Sequence, residues 1–171
     1  WDVKKADALG MAQRGGSGVS HVRMGYKVYS PMIERGKADI LLAFEKLEAA
    51  RWIGHLAPGG VAIVNDQAIL PLSVSSGAEP YPTDERIATA LKSRTERLFL
   101  APGEAVAKGL GNVRTLNIVM LGFLSTFLPM EGGLWTEVIT RHVPSRLLEL
   151  NLKAFSAGRA RAEWMGAVAG V

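Results

Sequence analysis

Two stretches decide what this chain can fold into. Ala38-Asp39-Ile40-Leu41-Leu42-Ala43-Phe44 and Val61-Ala62-Ile63-Val64-Asn65 are runs of strand length that are apolar almost throughout. Unbroken rather than alternating hydrophobicity is the mark of a strand buried on both faces, as in the middle of a parallel sheet. Between them, Leu47, Ala50, Ile53 and Leu56 recur at helical spacing, with Glu45, Lys46, Glu48 and Arg51 on the other face, and Pro58-Gly59-Gly60 is read as the stop. Strand, helix and strand within about thirty residues form a right-handed βαβ unit. Ligands in such folds bind at the carboxyl ends of the strands, which places Asn65 at a candidate site, although an Asn at a strand end also serves simply to make a turn.

The flanking sequence extends this pattern. Trp1 to Asp7 reads as an extended segment. Ser17–Arg23 and Lys27–Ser30 read as a strand pair bent at Gly25 and ended by Pro31. Residues 66–82 show no periodicity and read as a loop. Thr83 can cap a helix running to about Arg94, with Asp84 and Glu85 at its positive end. Arg97–Ala101 reads as a third strand, with a helix from Pro102 to about Lys108. Thr115–Leu128 is apolar nearly all round, which requires burial against the sheet or against another subunit. Gly132-Gly133 reads as a break before an amphipathic helix Leu134–Val143, and another helix restarts at Ser145. The segment from Gly158 onward reads as a docking or fraying tail. The expected fold is α/β: an open, mainly parallel, Rossmann-like sheet flanked by helices, with a helical C-terminal third, in one domain over residues 1–171.

Composition removes several function classes. The chain has no cysteine, so it cannot supply the thiolate ligands of an iron–sulfur cluster or a Cys-type zinc site, nor a disulfide. His21, His55 and His142 are far apart and show no metal spacing. The basic residues, which give a net charge of +4, are interspersed with acids rather than gathered on one stripe, so nucleic acid is not an expected partner. The longest apolar run, Ile118–Met130, is shorter than the roughly 20 residues that cross a bilayer, and no secretory leader opens the sequence; no membrane association and a cytoplasmic location are expected. There is no GxGxxG after a first strand, no phosphate-binding GxxxxGK[ST] and no GxSxG nucleophile motif. Ser20 and His21 are strand neighbours that point to opposite faces, so they cannot act as nucleophile and base. Glu45 and Glu48 read as a solvated charged face.

What remains is Met11-Ala12-Gln13-Arg14-Gly15-Gly16-Ser17-Gly18-Val19-Ser20-His21-Val22-Arg23, a dense group of hydrogen-bond donors around glycines. Gly15 and Gly16 can leave their N–H groups uncovered to form an anion-binding concavity beside Arg14; the alternative is a tight turn feeding a strand with one polar face.

This stretch, preceded by Asp2-Val3-Lys4-Lys5, resembles the gamma subunit or domain of the 2-oxoacid:ferredoxin oxidoreductases. The Met-Ala-Gln-Arg-Gly-Gly form is most similar to the homologous beta subunit of indolepyruvate ferredoxin oxidoreductase. Ser30-Pro31, Ala38-Asp39 to Glu45, Pro58-Gly59-Gly60, Asn65 and Gly111-Asn112 to Leu121-Gly122 agree, so the likeness covers most of the chain. The resemblance implies an accessory subunit of an enzyme that converts a 2-oxoacid, such as indolepyruvate or another aryl pyruvate, and coenzyme A to acyl-CoA and carbon dioxide. It implies that thiamine diphosphate and iron–sulfur clusters sit on partner subunits and that ferredoxin accepts the electrons. It also implies that this chain binds no cofactor alone, carries no catalytic residue, and contributes to assembly and to a shared coenzyme A site. By the same resemblance Lys4 and Lys5 lie near the coenzyme A phosphates, Gln13, Arg14, Gly15 and Gly16 form the glycine turn, and Asn65 faces the same cleft. Read without it, Lys4 and Lys5 are ordinary surface lysines.

Two features depart from the family pattern. The family opens with a strand and a Gly-Gly-Gln-Gly loop, and this sequence starts after that point. Leu9 stands where many relatives carry histidine. A free-standing α/β module binding a nucleotide or acyl-CoA is the alternative reading, and a third is that 11–23 is an assembly surface on which Arg14 and Arg23 meet carboxylates of a partner.

Overall fold

The computed structural model describes residues 1–8 and 18–168, with side chains in those ranges up to residue 161. Its strands are β1 (Asp2–Ala8), β2 (Val19–Gly25), β3 (Ala38–Ala43), β4 (Leu56–Asn65) and β5 (Leu98–Ala101). Its α-helices are α1 (Lys46–Trp52), α2 (Leu72–Ser75), α3 (Asp84–Lys92), α4 (Gly103–Gly109), α5 (Leu116–Ser125), α6 (Gly132–His142) and α7 (Ser145–Val168). β1 and β2 form an antiparallel hairpin, and β3, β4 and β5 form a separate parallel sheet with β4 in the middle, flanked by helices. The Ala62 N–H donates to the Arg97 carbonyl and the Asp66 N–H to the Ala101 carbonyl, the constant offset of a parallel pair. Val61 to Asn65 are all buried, as the central position demands.

The chain divides into two compact units. One comprises Trp1–Leu41, Glu45–Ala62 and Ala68–Leu98, the other Leu42–Phe44, Ile63–Gln67 and Phe99–Val171. In the first, α1 packs on α3, and Lys46 reaches Asp84 at 2.8 Å. Glu45 caps α1 by accepting the Glu48 N–H at 2.8 Å, and Thr83 caps α3 by accepting that of Arg86. In the second, the apolar α5 is covered by α4 and α7, and Val119, Met120 and Phe123 are buried with Ala107, Ala154 and Phe155. The cover for α5 is thus found within the chain. Phe99, Phe123 and Phe127 cluster, with ring centroids 5.0–6.5 Å apart.

Several expectations are corrected. The strand partner of β2 is β1, not residues 27–30, which belong to an irregular strap, residues 26–33, held by side chains. The helix after β3 ends at Trp52 and passes through a short 3-10 turn, Ile53–His55, and β4 starts at Leu56 rather than after Gly60. Side chains from residues 94–97 explain the early start. Arg94 Nε donates to the Leu56 carbonyl at 2.8 Å and Thr95 Oγ1 to that of Gly60 at 2.5 Å, so the Pro58-Gly59-Gly60 stretch stays extended. Gly132 and Gly133 open α6 instead of breaking before it. Gly158 lies inside one long helix, where it lets α7 approach α5. A Cβ on Gly158 would fall 2.0 Å from the Val119 carbonyl oxygen, and one on Gly122 2.2 Å from that of Phe155.

Candidate functional site

The hairpin sets Lys4 opposite Arg23 and Lys5 opposite Val22. Adjacent residues of a strand point to opposite faces, so the two lysines cannot close on one phosphate together. Lys4 Nζ lies 2.9 Å from Asp2 Oδ1, and Lys5 Nζ lies 3.0 Å from Asp7 Oδ2. Both pairs are exposed, and such pairs contribute about 0–1 kcal/mol, so either lysine can exchange its carboxylate for a phosphate at small cost. Asp2 is held below the usual carboxylate range, first by the Val28 N–H that it accepts and then by Lys4. Asp7 is lowered likewise, by the Ser20 hydroxyl and then Lys5.

The face carrying Asp2, Lys4, His21 and Arg23 grips the strap. Asp2 Oδ2 accepts the Val28 N–H at 2.9 Å, and Arg23 Nη1 donates to the carbonyls of Ser30 (3.0 Å) and Met32 (3.3 Å). His21 Nδ1 accepts the Ile33 N–H at 3.1 Å. His21 is buried, with its ring edge-on to His55. On the other face Ser20 Oγ donates to Asp7 at 2.6 Å. Ser20 and His21 therefore point apart, and His21 serves to hold backbone. The strap displays Tyr26, Tyr29 and Met32 to solvent. Arg23, expected on one reading to meet a partner's carboxylate, is occupied by these two carbonyls. Gln13, Arg14, Gly15 and Gly16 lie outside the described residues.

Asn65 is fully buried at the end of β4. Its amide nitrogen donates to the Phe44 carbonyl (3.2 Å) and to Gln67 Oε1 (3.1 Å), and its Oδ1 accepts the Glu104 N–H at 3.3 Å. A Cβ on Gly103 would sit 2.8 Å from that Oδ1, so the glycine is what lets the first turn of α4 come onto Asn65. The side chain ties the ends of β3 and β4 to the start of α4. Its polar atoms are used on these backbones and on Gln67, so its visible role is to position strand and helix ends.

Sequence reasoning missed Glu45. Instead of lying on a solvated face, it is buried at 6% exposure. Besides capping α1, it accepts the Ile69 N–H (3.3 Å) and the Tyr81 hydroxyl, and so fastens both ends of the excursion that spans residues 68–82. Burial, and then the Glu45 carboxylate, raise the Tyr81 hydroxyl well above its ordinary value, so it stays protonated. The available signal was the position of Glu45, three residues before Glu48 at the start of a helix. That position calls for a cap, although Glu is not the usual choice.

Among the described residues no group of three or more His, Asp or Glu side chains could hold a metal ion, and no helix is long and apolar enough to cross a membrane. Two surface clefts, about 570 and about 290 Å3, lie among the helices of the second unit, and neither is lined by Lys4, Lys5 or Asn65.

Residues 1–161 match the family model described as pyruvate ferredoxin/flavodoxin oxidoreductase. The chain belongs to this family. It is 38% identical over 161 residues to the indolepyruvate oxidoreductase subunit IorB of Pyrococcus horikoshii, covering 92% of this chain and 80% of the relative. The fold is shared with the gamma subunit of a keto/oxoacid ferredoxin oxidoreductase from Geobacter sulfurreducens, with a TM-score of 0.64 at 20% identity over 94% of this chain and 79% of that one. It is also shared with a 2-oxoglutarate:ferredoxin oxidoreductase from Magnetococcus marinus, solved with 2-oxoglutarate, coenzyme A and succinyl-CoA bound. There the TM-score is 0.65 at 19% identity, over 94% of this chain and 26% of that one. The parallel sheet with its flanking helices is thus the fold of this oxidoreductase family.

Proposed function

We propose that the chain is an accessory subunit of a 2-oxoacid:ferredoxin oxidoreductase that oxidatively decarboxylates an aryl 2-oxoacid such as indolepyruvate to its acyl-CoA, and that it contributes to assembly and to the coenzyme A site. The observation that carries this reading is the 38% identity to an indolepyruvate oxidoreductase subunit across nearly the whole chain. The sequence has no cysteine, so iron–sulfur clusters do not fit on it and belong, with thiamine diphosphate, to partner subunits. When bound there, these groups supply the carbanion chemistry and the electron path to ferredoxin.

The residues of this chain bind and orient. Lys4 and Lys5 are point charges on the two faces of a hairpin and address two separate phosphate groups of coenzyme A, with Gln13, Arg14, Gly15 and Gly16 as further anion contacts by the family resemblance. Asn65 holds the strand ends in register. The hairpin is outside the main sheet, and two strands alone are marginally stable, so partner subunits are its natural support. A cytoplasmic location belongs to the same reading.

The test is the complex reconstituted with its thiamine-binding partner. Lys4→Ala and Lys5→Ala are each expected to raise KM for coenzyme A about fivefold, the equivalent of ~1 kcal/mol, with kcat nearly unchanged. An unchanged KM in the double variant would remove the lysines from the site. Tight binding of coenzyme A by the isolated chain in calorimetry, abolished by the two changes, would favour the free-standing module.

A further inference from the structure

The smaller cleft of the second unit, about 290 Å3, is bordered by the first turns of α5 and α7 and by the last turn of α6. Two positive helix ends thus stand against one negative end. The lining has two parts. Ile118, Leu147 and Leu150 supply an apolar wall, and Arg114, His142 and Asn117 supply hydrogen-bond donors. No Asp or Glu lines the cleft.

These donors are unspent. Among the described residues the Arg114 guanidinium, the His142 imidazole and the Asn117 amide have no hydrogen-bond or ion-pair partner. Asn112, also in the lining, accepts the Arg114 N–H with its Oδ1 at 3.0 Å, and its amide N–H groups are left over. The neighbouring cations differ: Arg141 pairs with Glu137, and Lys153 with Glu149. A guanidinium beside neutral donors, with positive helix ends and no acid, suits a single anionic head, and the planar guanidinium fork matches a carboxylate. The apolar wall adds a place for an organic body, which a bare inorganic anion would leave empty. The volume is at the lower end of ligand pockets and admits a small molecule rather than a coenzyme.

We propose that this cleft binds a small monocarboxylate with an apolar body, its head on Arg114 and the donors beside it, its body on Ile118 and Leu147. The site shares no residue with the coenzyme A contacts proposed above and does not depend on the accessory-subunit reading.

Calorimetry on the full chain tests it with phenylacetate as probe, beside inorganic phosphate, which has a head without the body, and 2-phenylethanol, which has the body without the charge. Phenylacetate is expected to bind about tenfold more tightly than either. Arg114→Gln is expected to weaken phenylacetate about fivefold, and Leu147→Ser about threefold. Both side chains are exposed, so neither change should shift the circular dichroism melt. No binding of phenylacetate at millimolar concentration overturns the proposal. Binding that neither substitution weakens overturns it too, since the ligand then sits elsewhere. Phosphate binding as tightly as phenylacetate overturns the organic ligand in favour of a bare anion, and 2-phenylethanol doing so overturns the role of the charge.

Discussion

The crossing of α5 and α7 offers the sharpest test of the packing. Gly158→Ala would place a methyl group 2.0 Å from the Val119 carbonyl oxygen, 2.9 Å from its carbon and 3.1 Å from the Phe123 nitrogen. Ordinary contact begins near 3.4 Å, so the helices must separate by about 1.4 Å along that direction. The obstructing atoms are backbone, and no rotamer change relieves them. A gap of 0.5–1 Å already forfeits a quarter to a half of a dispersion contact, and the contacts at stake include Val119, Phe123, Ala154 and Phe155, all buried. Overpacking costs about 1–3 kcal/mol, and a backbone clash of this size lies at the upper end or beyond it. Against this, alanine gains up to ~1 kcal/mol in helix propensity. The net loss is about 2 kcal/mol, a fall in Tm of roughly 4–8 °C for a chain of this length. Thermal melts followed by circular dichroism measure it, with Gly133→Ala as control, since nothing lies within 4 Å of a Cβ there. An unchanged or raised Tm for Gly158→Ala, equal to the control, would refute the close crossing.

Two further perturbations test the clamps. Tyr81→Phe removes one hydrogen bond to the buried Glu45 and is expected to cost about 1.5–3 kcal/mol in urea unfolding. Because the folded Tyr81 hydroxyl is raised above its unfolded value of about 10, the wild type keeps this contribution below that pH and loses stability as pH rises beyond it. The variant should lack that part of the alkaline slope, and an identical slope would count against the pairing. Asp2 titrates below its unfolded value of about 3.9, so its hold on the strap is complete above that pH and is lost as pH falls through the folded value. The Val28 amide should then lose hydrogen-exchange protection in acid, and Asp2→Asn should lower that protection at neutral pH.

The parts of the fold that were legible in the sequence are those where burial writes a one-dimensional pattern. Ile63 and Val64 have neighbours above, below and on both sides, so every position must be apolar and the run is unmistakable. Thr83 followed by Asp84 and Glu85 announces a helix start because the groups it must satisfy are local. The family motif was legible for another reason, since Met11–Arg23 combines residue types that packing alone does not require. It did not reveal how its members divide: Lys4 and Lys5 face opposite ways once β1 is a strand, and Gln13, Arg14, Gly15 and Gly16 lie outside the described residues.

What escaped the sequence depends on distant partners. Pro58-Gly59-Gly60 looks like a stop by local propensity, yet the Gly60 carbonyl is taken by Thr95, thirty-five positions later, and the segment becomes strand. Gly158 looks like a weak point in a helix, where it costs about 1 kcal/mol relative to alanine. It becomes a requirement only because α5 crosses there with Gly122 facing it. Glu45 looks like one more surface acid on an amphipathic helix. Its carboxylate is instead needed by two N–H groups and a phenol, from Glu48, Ile69 and Tyr81, and no periodicity records a demand that comes from the two ends of a loop. The strap after β2 and the 68–82 loop are both tied down by side chains of neighbouring elements, Asp2, His21 and Arg23 for the one and Glu45 for the other, rather than by a sheet ladder, and both turn large apolar groups outward. Backbone already fixed before binding reduces the ordering cost of any contact made there. Leu70, Leu72, Tyr26 and Tyr29 are exposed on backbone that is fixed from beneath, so their substitution changes the surface without removing a core contact.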